Sequence, residues 1–214
     1  KILTRTWRYQ SNTILSGNMQ SVYNFIVAPK NGRSTSEKDI NGSKLLLNTE
    51  LQNHQYTSRL GVAISEPKIH GTPIKPGDEI IVHHNVFRRF RDVRGKEKNS
   101  RAFYKEDMFF VSTDQIYAYK HGDVWKPLPE YCFIKPIHET KMFSNEKERP
   151  LIGIIKYAGE GFEAGKLVGF TPGSEYEFNI EGERLYRVPT NKITVEYEYQ
   201  GDEEEYNPSW SQSS

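Results

Sequence analysis

Apolar positions along the chain fall into short runs rich in Val, Ile, Tyr and Phe. In the first half they are Val22–Val27, Leu60–Ile64, Glu79–Val82, Met108–Val111 and Ile116–Tyr119. In the second half they are Tyr131–Ile134, Leu151–Lys156, Leu167–Phe170, Glu175–Ile180, Arg184–Val188 and Ile193–Tyr199. Turn-forming stretches separate them, among them Lys75-Pro76-Gly77-Asp78, Thr171-Pro172-Gly173-Ser174 and Glu181-Gly182-Glu183. No long stretch keeps apolar residues at i, i+3, i+4 and i+7, the spacing an amphipathic helix needs. The pattern predicts an all-β fold of many short strands, suited to small barrels or sandwiches.

The two halves repeat each other. Tyr23-Asn24-Phe25-Ile26 returns as Tyr131-Cys132-Phe133-Ile134, an offset of 108 residues (23 to 131). Leu60-Gly61-Val62 returns as Ile152-Gly153-Ile154, an offset of 92 (61 to 153). Pro76-Gly77-Asp78-Glu79-Ile80 returns as Ala164-Gly165-Lys166-Leu167-Val168 at 88 (77 to 165). Val111-Ser112-Thr113-Asp114-Gln115-Ile116 returns as Val188-Pro189-Thr190-Asn191-Lys192-Ile193 at 77 (111 to 188). The anchors keep their order while the offset only falls, as expected for two units sharing core strands, the first with longer loops. The expected boundaries are an N-terminal extension over 1–20, a first unit over 21–120, a linker over 121–129, a second unit over 130–199 and an acidic disordered tail over 200–214.

The longest loop, about residues 29–58, reads as a mobile segment without strands of its own, and loops of that length usually carry function. Within polar flanks it holds Asn41-Gly42-Ser43-Lys44-Leu45-Leu46-Leu47. Each leucine buried on a partner would contribute about 1.5–3 kcal/mol, against about 1–2 kcal/mol for every loop residue that becomes fixed. Such a ligand works best when several identical loops act together. The alternative reading folds the loop back, so that the leucines complete the wall of the first unit.

The ordered set of a strand, a long polar loop with a glycine before three apolar residues, a Gly-Val strand and Pro-Gly-Asp opening an apolar strand resembles the ten-kilodalton co-chaperonin (GroES) family. In the second unit, Gly165-Lys166-Leu167-Val168, Pro172-Gly173-Ser174-Glu175-Tyr176-Glu177-Phe178, Glu181-Gly182-Glu183-Arg184-Leu185-Tyr186 and Thr190–Val195 are similar to the family's closing hairpin and terminal strand. The resemblance implies two tandem, partly closed β-barrels, assembly into a ring-shaped homo-oligomer, and capping of a chaperonin ring to assist protein folding. Carried over residue by residue, the chaperonin-binding positions are Gly42, Leu45, Leu46 and Leu47. The second unit's loop, Pro136–Pro150, lacks the apolar triplet and offers only Met142 and Phe143 as secondary contacts. Roof segments reduced to Lys68–Pro76 and Ala158–Ala164 suggest a dome open at its top, as in some phage-type co-chaperonins. A sevenfold ring does not divide evenly among two-unit chains.

Composition narrows the alternatives. With 29 basic and 28 acidic residues, the whole chain has no net field that marks a nucleic-acid or anionic-membrane binder. No window approaches the ~18 apolar residues of a membrane span, and Lys1-Ile2-Leu3-Thr4-Arg5 lacks a signal peptide's apolar stretch. The expected location is the cytoplasm, the host's if the protein is viral. One cysteine, Cys132, excludes an intrachain disulfide and a cysteine-cluster zinc site. His83 and His84, adjacent on an expected strand, should point to opposite faces and cannot share a metal ion. With no phosphate loop, nucleophile elbow or cofactor motif, the expectation is no enzyme, no cofactor and no metal. The most basic run, Phe87–Lys98, places Arg88, Arg89, Arg91 and Arg94 among phenylalanines, a pattern that could track nucleic acid. Asp92, Glu97, Glu106 and Asp107 dilute that patch. A further rival makes the same ring-forming units a structural or adaptor component of a virus particle, located in the virion.

Overall fold

The computed structural model describes residues 20–30, 32–33, 37–40, 43–46, 59–139, 147–198 and 203–207, with backbone alone for 37–40 and 43–46. The chain is all-β, and each run expected as a strand is one. In the first half β1 (Phe25–Pro29), β2 (Glu37–Ile40), β3 (Ser43–Leu46), β4 (Leu60–Ser65) and β5 (Glu79–Val82) are followed by β6 (Arg89–Arg91), β7 (Glu97–Asn99), β8 (Phe103–Lys105), β9 (Met108–Val111), β10 (Ile116–His121) and β11 (Val124–Pro127). The second half contains β12 (Tyr131–His138), β13 (Glu148–Tyr157), β14 (Leu167–Phe170), β15 (Tyr176–Ile180), β16 (Glu183–Pro189) and β17 (Ile193–Tyr197).

Two large sheets result, ordered β11-β10-β5-β4-β1-β9-β8 and β15-β16-β12-β13-β14-β17. Apart from the added β11, the orders correspond strand for strand when the second is read backwards. The registers correspond as well. Gly61 faces Ile80 as Gly153 faces Val168, and Ala118 faces Ile81 as Val195 faces Gly169. Even the irregularities recur, between Ile26 and Val27 and between Phe133 and Ile134. The turn before β5 and the turn before β14 make the same two bonds: Gly77 N–H donates to Ala63 O as Gly165 N–H does to Ile155 O, both at 2.7 Å, and Ala63 N–H donates to Asp78 O as Ile155 N–H does to Lys166 O, both at 2.9 Å. The duplication is therefore a property of the fold.

One anchor moves by a residue. Val27 pairs with Ala63 and Ile134 with Ile155, which aligns Val27 with Ile134 and makes the first-strand offset 107 (27 to 134) rather than 108. The aromatic look of Tyr23–Ile26 and Tyr131–Ile134 suggested the other register. Because side chains alternate across a strand, one residue of slip exchanges the two faces. The corrected alignment puts Phe25 with Cys132 and Val27 with Ile134, all in the inner cores of their own units.

Neither sheet closes on itself: β11 and β8 are the edges of one, β15 and β17 of the other. The first core holds Phe25, Val27, Ile80, Val82, Phe87, Phe109, Val111 and Ile116. The second holds Cys132, Ile134, Ile155, Val168, Phe170 and Val188. A third cluster joins the units, with Ile81, Tyr117, Ala118 and Trp125 from the first sheet against Phe133, Phe178, Ile180 and Leu185 from the second. The stretch 121–129, expected as a linker, instead carries β11, hairpinned onto β10 with Trp125 buried in that junction. Its Pro127 is tolerated because β11 is an edge strand.

The tail expected to be disordered is docked where it is described. Glu205 bridges Ile137, Tyr206 N–H donates to Pro136 O, and the Lys135 ammonium reaches Glu205 at 2.7 Å. Tyr206 also packs edge-on against His138, and the Asn207 amide donates to Gly182 O.

Candidate functional site

The segment expected as a strandless loop contains a hairpin. β2 and β3 pair from Glu37 with Leu46 to Ile40 with Ser43, and in sequence Asn41-Gly42, outside the described residues, lies between them. Asn-Gly between alternating strands is the strongest short signal for a two-residue hairpin. The hairpin forms its own two-stranded sheet, hydrogen-bonded to neither large sheet. Leu45 and Leu46 lie on β3, whereas Gly42, Leu47, Met142 and Phe143 fall outside the described residues. A lone two-stranded hairpin is marginal in water, so this element is stabilised most when something covers it.

The root of the loop is fixed. Lys30 N–H donates to Leu60 O at 3.0 Å, closing the two ends of the loop together. Arg33 lies over the rings of Phe103 and Phe109, 5.7 and 5.0 Å from their centroids. Burial, then the neighbouring Arg89, lowers the pKa of the Arg33 guanidinium.

The basic run forms a second separate hairpin, β6–β7. Its expected stacking platform is half lost, because Phe87 is fully buried and packs edge-on against Phe109 in the first core. Arg89 pairs with Glu97 at 3.1 Å, and the Asp92 carboxylate accepts the backbone N–H groups of Arg94 and Lys96 that shape the turn. Arg91 and Arg94 are exposed, Arg88 half-buried, and Phe90 is the one partly open ring of the run.

His83 and His84 do not point apart. β5 ends at Val82, so both residues sit in the turn that follows, with their rings stacked at 4.2 Å. The His83 Nδ1 accepts the N–H of Asn85, and the His84 Nδ1 bonds the Tyr176 hydroxyl at 2.9 Å. Burial, with Arg187 and Arg59 nearby, pushes the His83 pKa down. Around them Arg59 lies over Tyr176 and Phe178, and Arg187 over Tyr117 and Tyr131, at 4.4–5.0 Å. This cluster locks the units together through cations on aromatic faces, each worth up to ~2 kcal/mol when desolvated. Among the described residues, no group of three or more His, Cys, Asp or Glu is placed to hold a metal ion, and no helix is long and apolar enough to cross a membrane. Cys132 is buried, and that burial raises its thiol pKa.

The near-zero total charge concealed a division. Residues 1–129 carry 20 basic and 12 acidic side chains, and residues 130–214 carry 9 and 16, so the two halves stand at +8 and −7, while the units themselves, 21–120 and 130–199, carry 16 against 11 and 9 against 12. Counting each half separately would have found it. No model of a known protein family matches the chain, and no curated protein matches it significantly.

Proposed function

We propose that the protein is a co-chaperonin: two GroES-like units in tandem that cap a chaperonin ring and act by confining a substrate protein. The observation that carries this reading is the β2–β3 hairpin, set apart from both large sheets and bearing Leu45 and Leu46 on its second strand. A binding element already paired as a hairpin loses less conformational entropy on docking than an unstructured loop does. Its root is held by the Lys30–Leu60 bond and by Arg33 on Phe103 and Phe109, which fixes where the hairpin emerges. The ordered sequence anchors and the duplicated strand order support the same reading. Confinement needs no bond-making residues, in keeping with a junction built from packed rings and cations.

The test mixes the protein with a chaperonin and nucleotide, following complex formation by sedimentation and ATP turnover by phosphate release. Wild type is expected to bind and slow turnover, with Leu46→Asp losing both effects. Failure of wild type to bind or to change turnover would overturn the reading. Stable incorporation into a virus particle without a chaperonin would transfer the function to the structural alternative.

A further inference from the structure

We infer that the junction between the two units is an acid-sensitive latch, in which the stacked imidazoles of His83 and His84 hold the units together while neutral and release them when protonated. Both residues belong to the first unit, in the turn after β5, and the groups they meet come from both units. His83 lies edge-on to Tyr117 of β10, with the ring centroids 6.2 Å apart. His84 stacks on Tyr176 of β15, the rings 5.9 Å apart and nearly parallel, and its Nδ1 bonds the Tyr176 hydroxyl across the junction. Arg59, just before β4, crosses in the same direction: it donates to the Glu177 carbonyl oxygen and lies over Tyr176 and Phe178. Arg187 of β16 reaches the opposite way, over Tyr117. The turn after β5 is thus a seam where each unit holds the other.

That seam has no room for a further proton. The His83 Nδ1 accepts the backbone N–H of Asn85 at 3.1 Å, so this nitrogen must keep its lone pair. A proton there would set two N–H groups against each other and undo the turn. The two rings stand 4.2 Å apart, and like charges at that distance oppose each other's ionisation. Burial, then Arg187 of β16 and Arg59 before β4, disfavours the charged form of His83, and Asp114 between β9 and β10 opposes them. The Glu177 carboxylate on β15 is engaged by Arg184 Nε at 2.9 Å, while Tyr117 and Tyr176 bring neutral rings. An imidazole whose charged form is disfavoured on folding contributes stability above its unfolded value near 6.5, and that stability is lost as pH falls below it. The loss falls on the seam and spares the sheets, because the inner core of each unit is apolar. Among the described residues the other histidines lie elsewhere: His70 beside Tyr23, His121 on Asp78 and His138 against Tyr206. The inference rests on the junction and is independent of the chaperonin reading.

The experiment reads Trp125, which is 3% exposed in the junction, by fluorescence of the full chain with Trp7 and Trp210 replaced by Phe. The titration runs from about pH 7.5 to about 5, across the imidazole range and above that of ordinary carboxylates. With His83 and His84 in place, emission should move to longer wavelength and acrylamide quenching should rise, while far-ultraviolet circular dichroism stays constant. His83→Asn supplies another acceptor to the Asn85 N–H, as an Asx turn does, and takes no proton in this range. Combined with His84→Gln it should hold the emission at its neutral-pH position throughout. His83→Gln repeats the test if the asparagine variant fails to fold, as judged by its dichroism at neutral pH. His121→Asn, outside the seam, should shift as the parent chain does. A parent chain whose emission stays constant, a loss of dichroism in step with the emission change, or a double variant that shifts at the parent's pH would each overturn the inference.

Discussion

Gly61 and Gly153 occupy equivalent places, and replacing either by alanine tests the repeat at atomic detail. A Cβ on Gly61 would stand 2.6 Å from Val27 Cγ1, 3.0 Å from Phe87 Cζ and 3.1 Å from Ala28 O. A Cβ on Gly153 would stand 2.3 Å from Lys135 O and 2.6 Å from Ile134 Cγ2. Val27 and Ala28 align with Ile134 and Lys135, so the same crowding was built twice, against the irregular stretch of β1 and of β12. Alanine restricts the unfolded chain and alone would stabilise by about 0.4–1 kcal/mol. Overpacking costs about 1–3 kcal/mol and occasionally more, so the crowding wins at both positions. At Gly61 the nearest atom is a side-chain methyl that can shift, and a net loss of about 1–2 kcal/mol follows. At Gly153 a backbone oxygen held in the β12–β13 ladder must move, giving about 3 kcal/mol or more. For a chain of this size those losses lower Tm by about 2–4 °C per kcal/mol. Gly71 is the control: nothing lies within 4 Å of its Cβ position, so alanine there should be neutral or stabilising. Guanidinium titrations of the three variants at matched m-values measure the order. A Gly153→Ala protein as stable as wild type, or less affected than Gly61→Ala, would refute the shared close approach.

Tyr117 sits in the junction, and burial pushes its phenol up to about 12, with the Arg187 guanidinium opposing. A raised phenol pKa means that stability is fully present below the unfolded value near 10 and is lost as pH rises from about 10 to 12. About 2–3 kcal/mol should disappear across that window in alkaline urea titrations, and Tyr117→Phe should flatten the decline; an unchanged slope would contradict it. Deleting residues 201–214 removes the strap on β12, including the Glu204 carbonyl that accepts the His138 N–H. Amide exchange at His138 should accelerate, while global stability falls by about 1 kcal/mol, the worth of a hydrogen bond and an exposed ion pair.

The strands that carry core on one or both faces were legible because their Val, Ile and Phe runs have no other explanation. β9 and β14 begin and end where the apolar runs do. The elements that were missed owe their strand state to pairing instead of to composition. β6 and β7 are Arg-Phe-Arg and Glu-Lys-Asn, and β11 is Val-Trp-Lys-Pro between two turn-like stretches. Trp125 was the one clue that this stretch is buried. The expected separation of His83 and His84 failed because the strand that would have enforced it stops one residue earlier. The basic run looks like one unit in sequence, yet Phe87 belongs to the core and Arg89 to an ion pair, a division set by the hairpin register.

The second unit treats the root of its loop differently from the first. Ile137 aligns with Lys30, the residue at which the first unit closes its loop onto Leu60. In the second unit β13 continues along that edge as far as Glu148, and the tail takes the other edge of β12, beyond the end of β16, through Glu205 on Ile137 and Glu204 on His138. An edge already paired by its own chain is closed to a further strand. Among the described residues β2–β3 is the separate hairpin that carries leucines, and a single hairpin with so few apolar anchors gains only a few kcal/mol over the cost of fixing it. Every 1.4 kcal/mol is tenfold in affinity, so one such contact is weak and short-lived. The ring-shaped assembly that the proposed function implies would set several hairpins at fixed spacing, which turns each later docking into an intramolecular event. It follows that chaperonin binding should fall steeply when the protein is diluted until only single chains remain, and a single-chain affinity equal to that of the assembly would break this link.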